Sequence, residues 1–142
     1  MEERIQRHQE RRPSNWHTLE APLNPVGGLQ GQTARPRILL LDSVDVWVSN
    51  LMLEHEGTSR LELEARIVGA VRRFVACVQE SDGEAVIVSS EVGHSLIATS
   101  PMGRQFQDLL GTVNQAVAEA ADKVTMVIAG LPVPIKPLGT FP

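Results

Sequence analysis

The spacing of apolar residues changes several times along this chain, and each change predicts an element. Ile38-Leu39-Leu40-Leu41 is an uninterrupted apolar run, the pattern of a short strand buried on both faces. It stops at Asp42. After Ser43, the residues Val44, Trp47, Val48, Leu51 and Met52 recur at the spacing of one helix face. Beyond Gly57, Ser59 and Glu62 stand at capping-box spacing, and Ile67, Val71, Phe74, Val75 and Val78 mark a second helix. The stretch AVIVS, Ala85 to Ser89, predicts another buried strand, followed by the loop SEVGHSLIATS. Ser100-Pro101 is a helix start with proline at the first helical position. Met102, Phe106, Leu109, Leu110, Val113 and Val117 then form that helix's apolar face. Lys123 follows, where a cation complements the helix dipole. VTMVIAG, Val124 to Gly130, predicts a third strand. LPVPIK predicts an edge strand, because its prolines cannot sit within a central ladder.

The front of the chain is different. Met1 to Arg12 is polar and helical in character, with Pro13 as a stop. Residues 13–36 are rich in Pro, Gly, Asn and Gln and predict a long irregular segment, ordered in part around Trp16 and Leu19. Within it, Gly27 to Gln32 (GGLQGQ) predicts a flexible surface connection. The alternation of strands and helices predicts one α/β domain over 1–142 with a mostly parallel sheet and helices on both faces. Residues 1–36 form its polar helix and loop, and 37–142 its sheet-and-helix core. Ligands of such sheets bind at the carboxyl ends of the strands, which here means Asp42 and Ser89-Ser90-Glu91.

Composition narrows the function classes. The net charge is −4 and aromatic residues make up 4% of the chain, against nucleic-acid binding, which favours basic excess and stacking surfaces. No apolar run reaches membrane-span length, the first twenty residues lack a signal-peptide pattern, and the single Cys77 suits a reducing compartment. A cytoplasmic protein is expected. Lys123 and Lys136 are the only lysines, and neither completes a G-x-x-x-x-G-K-[ST] phosphate loop.

Few residues carry chemistry by pattern alone. Asp42, directly after an apolar strand, has two readings. It is placed like a carboxylate that holds Mg²⁺ beside nucleotide phosphates, and equally like a helix N-cap. Glu91 has a similar pair of readings, a water- or metal-binding carboxylate or a loop cap. His8, His17, His55 and His94 share no metal-ligand spacing, and the bare pattern reads His8 as a surface residue on a charged helix.

Four segments occur in order: RIQRHQERRPSNWHTLEAPL, ILLLDSVDVWVSNLMLE, VIVSSEVG and GRQFQDLLGTVNQAVAEAADKVTMVIAGLPVPIK. With their motifs R-I-x-x-H-x-x-x-R-P-x-x-W, W-V-S-N-L, S-x-E-V-G and D-L-L-G-x-x-N-Q-x-x-A-x-x-A-D, the chain resembles the bifunctional adenosylcobinamide kinase / adenosylcobinamide-phosphate guanylyltransferase family over nearly its whole length. The resemblance implies a P-loop NTPase-like fold and a role in cobalamin biosynthesis. It implies phosphorylation of adenosylcobinamide, then transfer of GMP from GTP through a histidine to adenosylcobinamide phosphate. The histidine would be His8. The nucleotide contacts would be Gln9, Glu10, Arg11, Arg12, Glu20 and Asp42, with Mg²⁺ at Asp42, GTP or ATP as nucleotide, and a homo-oligomeric assembly. The family opens with a strand and a G-x-x-x-S-G-K-S loop ahead of the histidine motif. Neither stands in these residues, so the expected fold is N-terminally truncated, with Met1 an internal position and the kinase step without its phosphate cradle. Two further departures matter. Gly93 to Ala98 replaces a G-x-G-[IL]-V-P loop, and Gln105 and Gln107 stand where the family often carries Arg.

Overall fold

The computed structural model describes residues 12–32 and 36–137. Along the chain these form α1 (Pro25–Gln30), β1 (Ile38–Asp42), α2 (Val44–Glu54), α3 (Arg60–Gln79), β2 (Glu84–Val88), α4 (Pro101–Ala120), β3 (Val124–Ile128) and β4 (Leu131–Lys136). The polar helix expected over Met1 to Arg12 lies almost wholly outside the described residues.

The apolar periodicity is realised closely in the helices. Val44, Trp47, Val48, Leu51 and Met52 of α2 are all buried. They meet Leu63, Ile67, Val71 and Phe74 of α3 and Leu109, Leu110 and Val113 of α4 in one core. The helix starts follow their cap residues. The Ser59 hydroxyl accepts from the Glu62 amide at 3.3 Å, and the Ser100 hydroxyl from the Gly103 amide at 3.0 Å. Only half of the capping box forms, because the Glu62 carboxylate turns forward to the Arg66 guanidinium at 2.8 Å, a neighbour one turn on.

The sheet differs from the expected one. β1 and β2 pair in parallel, Ile38 opposite Glu84 through Asp42 opposite Val88. β3 pairs with β4 instead, antiparallel, in a separate two-stranded sheet. Among the described residues, helices cover one face of the parallel pair. Leu39, Leu41 and Ile87 pack on the core, whereas Ile38 is 61% and Val86 52% exposed on the other face. The physical reason is local pairing. The turn Ala129-Gly130 has φ of +51° and +81°, the positive pair that closes a two-residue hairpin. That turn gives β3 an immediate partner, and no strand among the described residues bridges β2 and β3. Pro132 and Pro134 stand two apart on β4, so both missing N–H groups fall along the same edge of the strand. This is the edge strand predicted from its prolines.

The region 13–36 is more structured than its composition predicts. Gly27 to Gln30 lies inside α1, not in a flexible connection. The Asn24 side chain accepts from the Gly27 amide at 3.0 Å, Pro25 pre-sets the first helical φ, and Val26 and Leu29 pack against the core. Gly28 permits a close approach, since a Cβ there would meet the Leu19 side chain at 2.9 Å.

Lys123 does not cap α4. Lys136, at the end of β4, donates from Nζ to the Ala118 carbonyl at 3.0 Å and the Glu119 carbonyl at 2.8 Å. It thereby ties the hairpin to the helix C-terminus, where a cation is favoured. Lys136→Met is expected to remove about 1 kcal/mol of stability, a fall in Tm of about 3 °C for a chain of this size. Thermal unfolding followed by circular dichroism checks it, and an unchanged Tm would show that the contact contributes nothing.

Candidate active site

The parallel pair directs the carboxyl ends of β1 and β2 to one end of the fold, and the polar residues of that end are tied together. Asp42 is the last residue of β1. It is exposed, its side chain makes no hydrogen bond with another described residue, and it shares its register position with Val88 of β2. Ser43, not Asp42, takes the N-cap position of α2. The next acidic residue, Asp45, accepts from the Ser90 hydroxyl at 2.8 Å. Burial alone would raise the Asp45 carboxyl. The polar groups around it, Ser43, Ser90 and the amides of Asp45 and Val46, outweigh burial and hold its pKa below the ordinary carboxylate value, with the Ser90 bond made to Oδ2 and the buried Oδ1 without a hydrogen-bond partner among the described residues. Asp45 therefore stays ionised at neutral pH.

Three residues of α4 complete this end. Asn114 accepts from the Ser89 hydroxyl at 2.6 Å and donates to the Ser90 carbonyl at 3.0 Å. Gln107 reaches the loop beyond, donating to the Ser95 hydroxyl at 2.7 Å and the Leu96 carbonyl at 3.0 Å, and accepting from the Ala98 amide at 3.1 Å. An Arg at 107 has no acceptor for that amide, so glutamine suits the altered Gly93–Ala98 loop. Arg104 adds bonds to the Ala98 and Thr99 carbonyls at 3.0 and 2.7 Å. Glu91 accepts from the Gly93 amide, which is the loop-cap reading. His94 is exposed in the same loop.

The segment that follows the histidine motif lies against α2. Trp47 Nε1 donates to the Leu23 carbonyl at 3.1 Å and Asn50 Nδ2 to the Pro22 carbonyl at 3.2 Å. Upstream, Arg12 donates to the Thr18 hydroxyl at 2.9 Å, and Glu20 is exposed. Of the residues singled out from sequence, Arg12, Glu20 and Asp42 are thus described, while His8, Gln9, Glu10 and Arg11 lie outside the described residues. No hydrogen bond among the described residues joins Arg12 or Glu20 to Asp42. The link between the two regions runs through Trp47 and Asn50. Periodicity did not reveal Asp45, Asn50 and Asn114 as the residues that bind this end together. The polar residue inside W-V-S-N-L, two turns into an apolar helix, was the available signal for Asn50.

The donor set can be tested for Mg²⁺. Among the described residues no three His, Cys, Asp or Glu side chains converge as a metal cage. Mg²⁺ is commonly held by one or two carboxylates together with substrate phosphates. A solvent-facing carboxylate at a strand end, as Asp42 is, fits that mode.

Comparison with known proteins bears on the whole chain. A family model described as cobinamide kinase / cobinamide phosphate guanyltransferase matches residues 1–135. The chain is 34% identical over 136 residues to the bifunctional adenosylcobalamin biosynthesis protein CobP of Pseudomonas aeruginosa, covering 96% of this chain and 75% of that protein. It is 30% identical to the CobU protein of Escherichia coli and 31% to that of Salmonella typhimurium, each over 96% of this chain and 78% of the relative. The motifs at the strand ends and the match along 1–135 agree, and the chain belongs to the cobinamide kinase / cobinamide phosphate guanyltransferase family of cobalamin biosynthesis.

Proposed function

We propose that this chain carries the guanylyl-transfer half of its family's chemistry, with His8 as the nucleophile. The family match across residues 1–135, which includes the whole R-I-x-x-H-x-x-x-R-P-x-x-W motif, is the observation that carries this reading. A neutral His8 imidazole nitrogen attacks the α-phosphorus of GTP. The bond from that phosphorus to the bridging oxygen breaks, pyrophosphate leaves with the electron pair, and GMP remains on the histidine as a phosphoramidate. A phosphate oxygen of adenosylcobinamide phosphate then attacks the same phosphorus. The N–P bond breaks, the imidazole is restored, and adenosylcobinamide-GDP is released.

Arg11 and Arg12 supply forked donors for phosphate oxygens, while Gln9, Glu10 and Glu20 contact the nucleotide. Asp42 would hold Mg²⁺, whose charge offsets that on the departing pyrophosphate. The kinase step, with ATP or GTP as donor, needs a phosphate cradle of the G-x-x-x-x-G-K-[ST] kind, and these 142 residues contain none.

Labelled GTP and Mg²⁺ should therefore leave an acid-labile GMP adduct on the full chain. Adenosylcobinamide added with GTP should yield little of its phosphate. Robust formation of that phosphate would overturn the second expectation, and well-folded protein without an adduct would overturn the first. A second reading is favoured by the two separate sheets and by the exposed apolar face carrying Ile38 and Val86. In it the chain acts only within a homo-oligomer or beside a partner that covers those strands, since bare strand edges and faces invite pairing. An adduct that appears only in an oligomeric fraction of the purified protein would select this reading.

A further inference from the structure

Trp47 and Asn50 stand one helical turn apart on α2 and donate to consecutive carbonyls, those of Leu23 and Pro22. The acceptors belong to an irregular stretch with no sheet partner, so these two side chains supply hydrogen bonds that regular structure would otherwise provide. The stretch is held on its other side as well. Leu19 and Ala21 pack where Gly28 of α1 has no side chain, and Asn24 caps α1. Trp47 is 4% exposed, and its ring meets Phe74 edge to face with centroids 5.8 Å apart. The donor is thus fixed by the core, with little freedom to follow a departing segment. The same helix begins two residues after Asp42.

We infer that Trp47 and Asn50 are positioning residues that dock the Arg12–Asn24 segment onto the body carrying Asp42. The catalytic consequence rests on the guanylyl-transfer reading. The segment follows His8 and holds Arg12 and Glu20, so its docking sets how the nucleotide contacts of the two regions converge. Undocking weakens the grip on GTP without altering the chemistry of the bound complex. A loss of folded protein would instead lower the turnover and leave KM unchanged.

The test uses the full chain with Asn50→Asp, which keeps side-chain size but at neutral pH removes the donor, and Trp47→Phe, which keeps an aromatic ring but removes the N–H. Hydrogen exchange is measured at the Gly28 amide of α1 and the Gly31 amide at its C-cap, together with the KM for GTP in adduct formation. A hydrogen bond of ordinary net strength corresponds to about a fivefold change in an opening equilibrium. Each variant should therefore lose about fivefold in protection at those amides, with amides of α3 unaffected, and raise KM by a similar factor at nearly unchanged saturating rate. Unchanged protection in both variants would overturn the docking role. Lost protection with unchanged KM would confine the pair to structure and overturn the positioning role. Absence of an adduct from the wild-type chain would defeat the guanylyl-transfer reading alone, because the exchange measurement still decides the docking.

Discussion

His8→Ala is expected to leave no GMP on the protein after incubation with labelled GTP and Mg²⁺, while the far-ultraviolet circular dichroism is unchanged. Alanine has no atom that can form a phosphoramidate, so the loss is of the intermediate itself and not of a fraction of its rate. Removal of a covalent nucleophile reduces turnover by a factor on the order of 10³ or more. The adduct's chemistry supplies a second check. A phosphoramidate is cleaved in acid and survives base, whereas an acyl phosphate on a carboxylate is cleaved by base and by hydroxylamine, so survival in base distinguishes His8 from Glu10 or Glu20. Adduct persisting in His8→Ala with the same acid lability would assign the nucleophile to another histidine or to one of the two lysines. His17 would then be the next to replace, because it lies in the same segment. His8→Gln provides a polar control that preserves length and still cannot carry the group.

Phe74→Ala should have the largest effect on stability. Phe74 is 2% exposed and sits where α3 meets Trp47 of α2. Truncation of a buried Phe removes its transfer free energy and leaves a cavity, at a cost of about 3–5 kcal/mol. Domains of this size have about 5–15 kcal/mol in total. The urea midpoint should fall by about a fifth or more at unchanged m, and Tm by about 10 °C or more. Phe74→Leu, which retains most of the volume, should cost far less. The Trp47 ring also loses its edge-to-face neighbour, so the bond from Trp47 to the Leu23 carbonyl should weaken in Phe74→Ala even where the chain remains folded. Hydrogen exchange at α1 in Phe74→Ala, measured well below its Tm, reads that coupling. A Tm within about 2 °C of wild type would mean that α3 and α2 close over the void.

Family membership and helix faces were written in the chain, while sheet assembly was not. The five buried residues of α2 are those that its spacing marks, because a helix face is a local periodicity that burial merely reads out. The Ser59 and Ser100 caps were legible for the same reason, since each bond spans three residues. Strand identity was legible too, at Ile38–Asp42 and Glu84–Val88. Strand partnership depends on what lies beside each strand, which no local pattern encodes. VTMVIAG reads like a parallel core strand, yet it pairs with LPVPIK, because Ala129 takes a positive φ that a non-glycine residue seldom adopts. Lys136 in place of Lys123 at the end of α4 is decided in the same way, by the return of the hairpin to the helix.

The candidate site divides along the same line. Which residues are proposed to carry chemistry came from the motifs around His8 and Asp42 and from the resemblance those motifs bear. How the described parts are held was decided only by tertiary structure. Asp45 reaches Ser90 across 45 positions of chain, Asn114 reaches Ser89 across 25, and Asn50 reaches Pro22 across 28. A hydrogen bond depends on distance and direction between two side chains, and sequence separation constrains neither until the core of α2, α3 and α4 has fixed the helices that carry them.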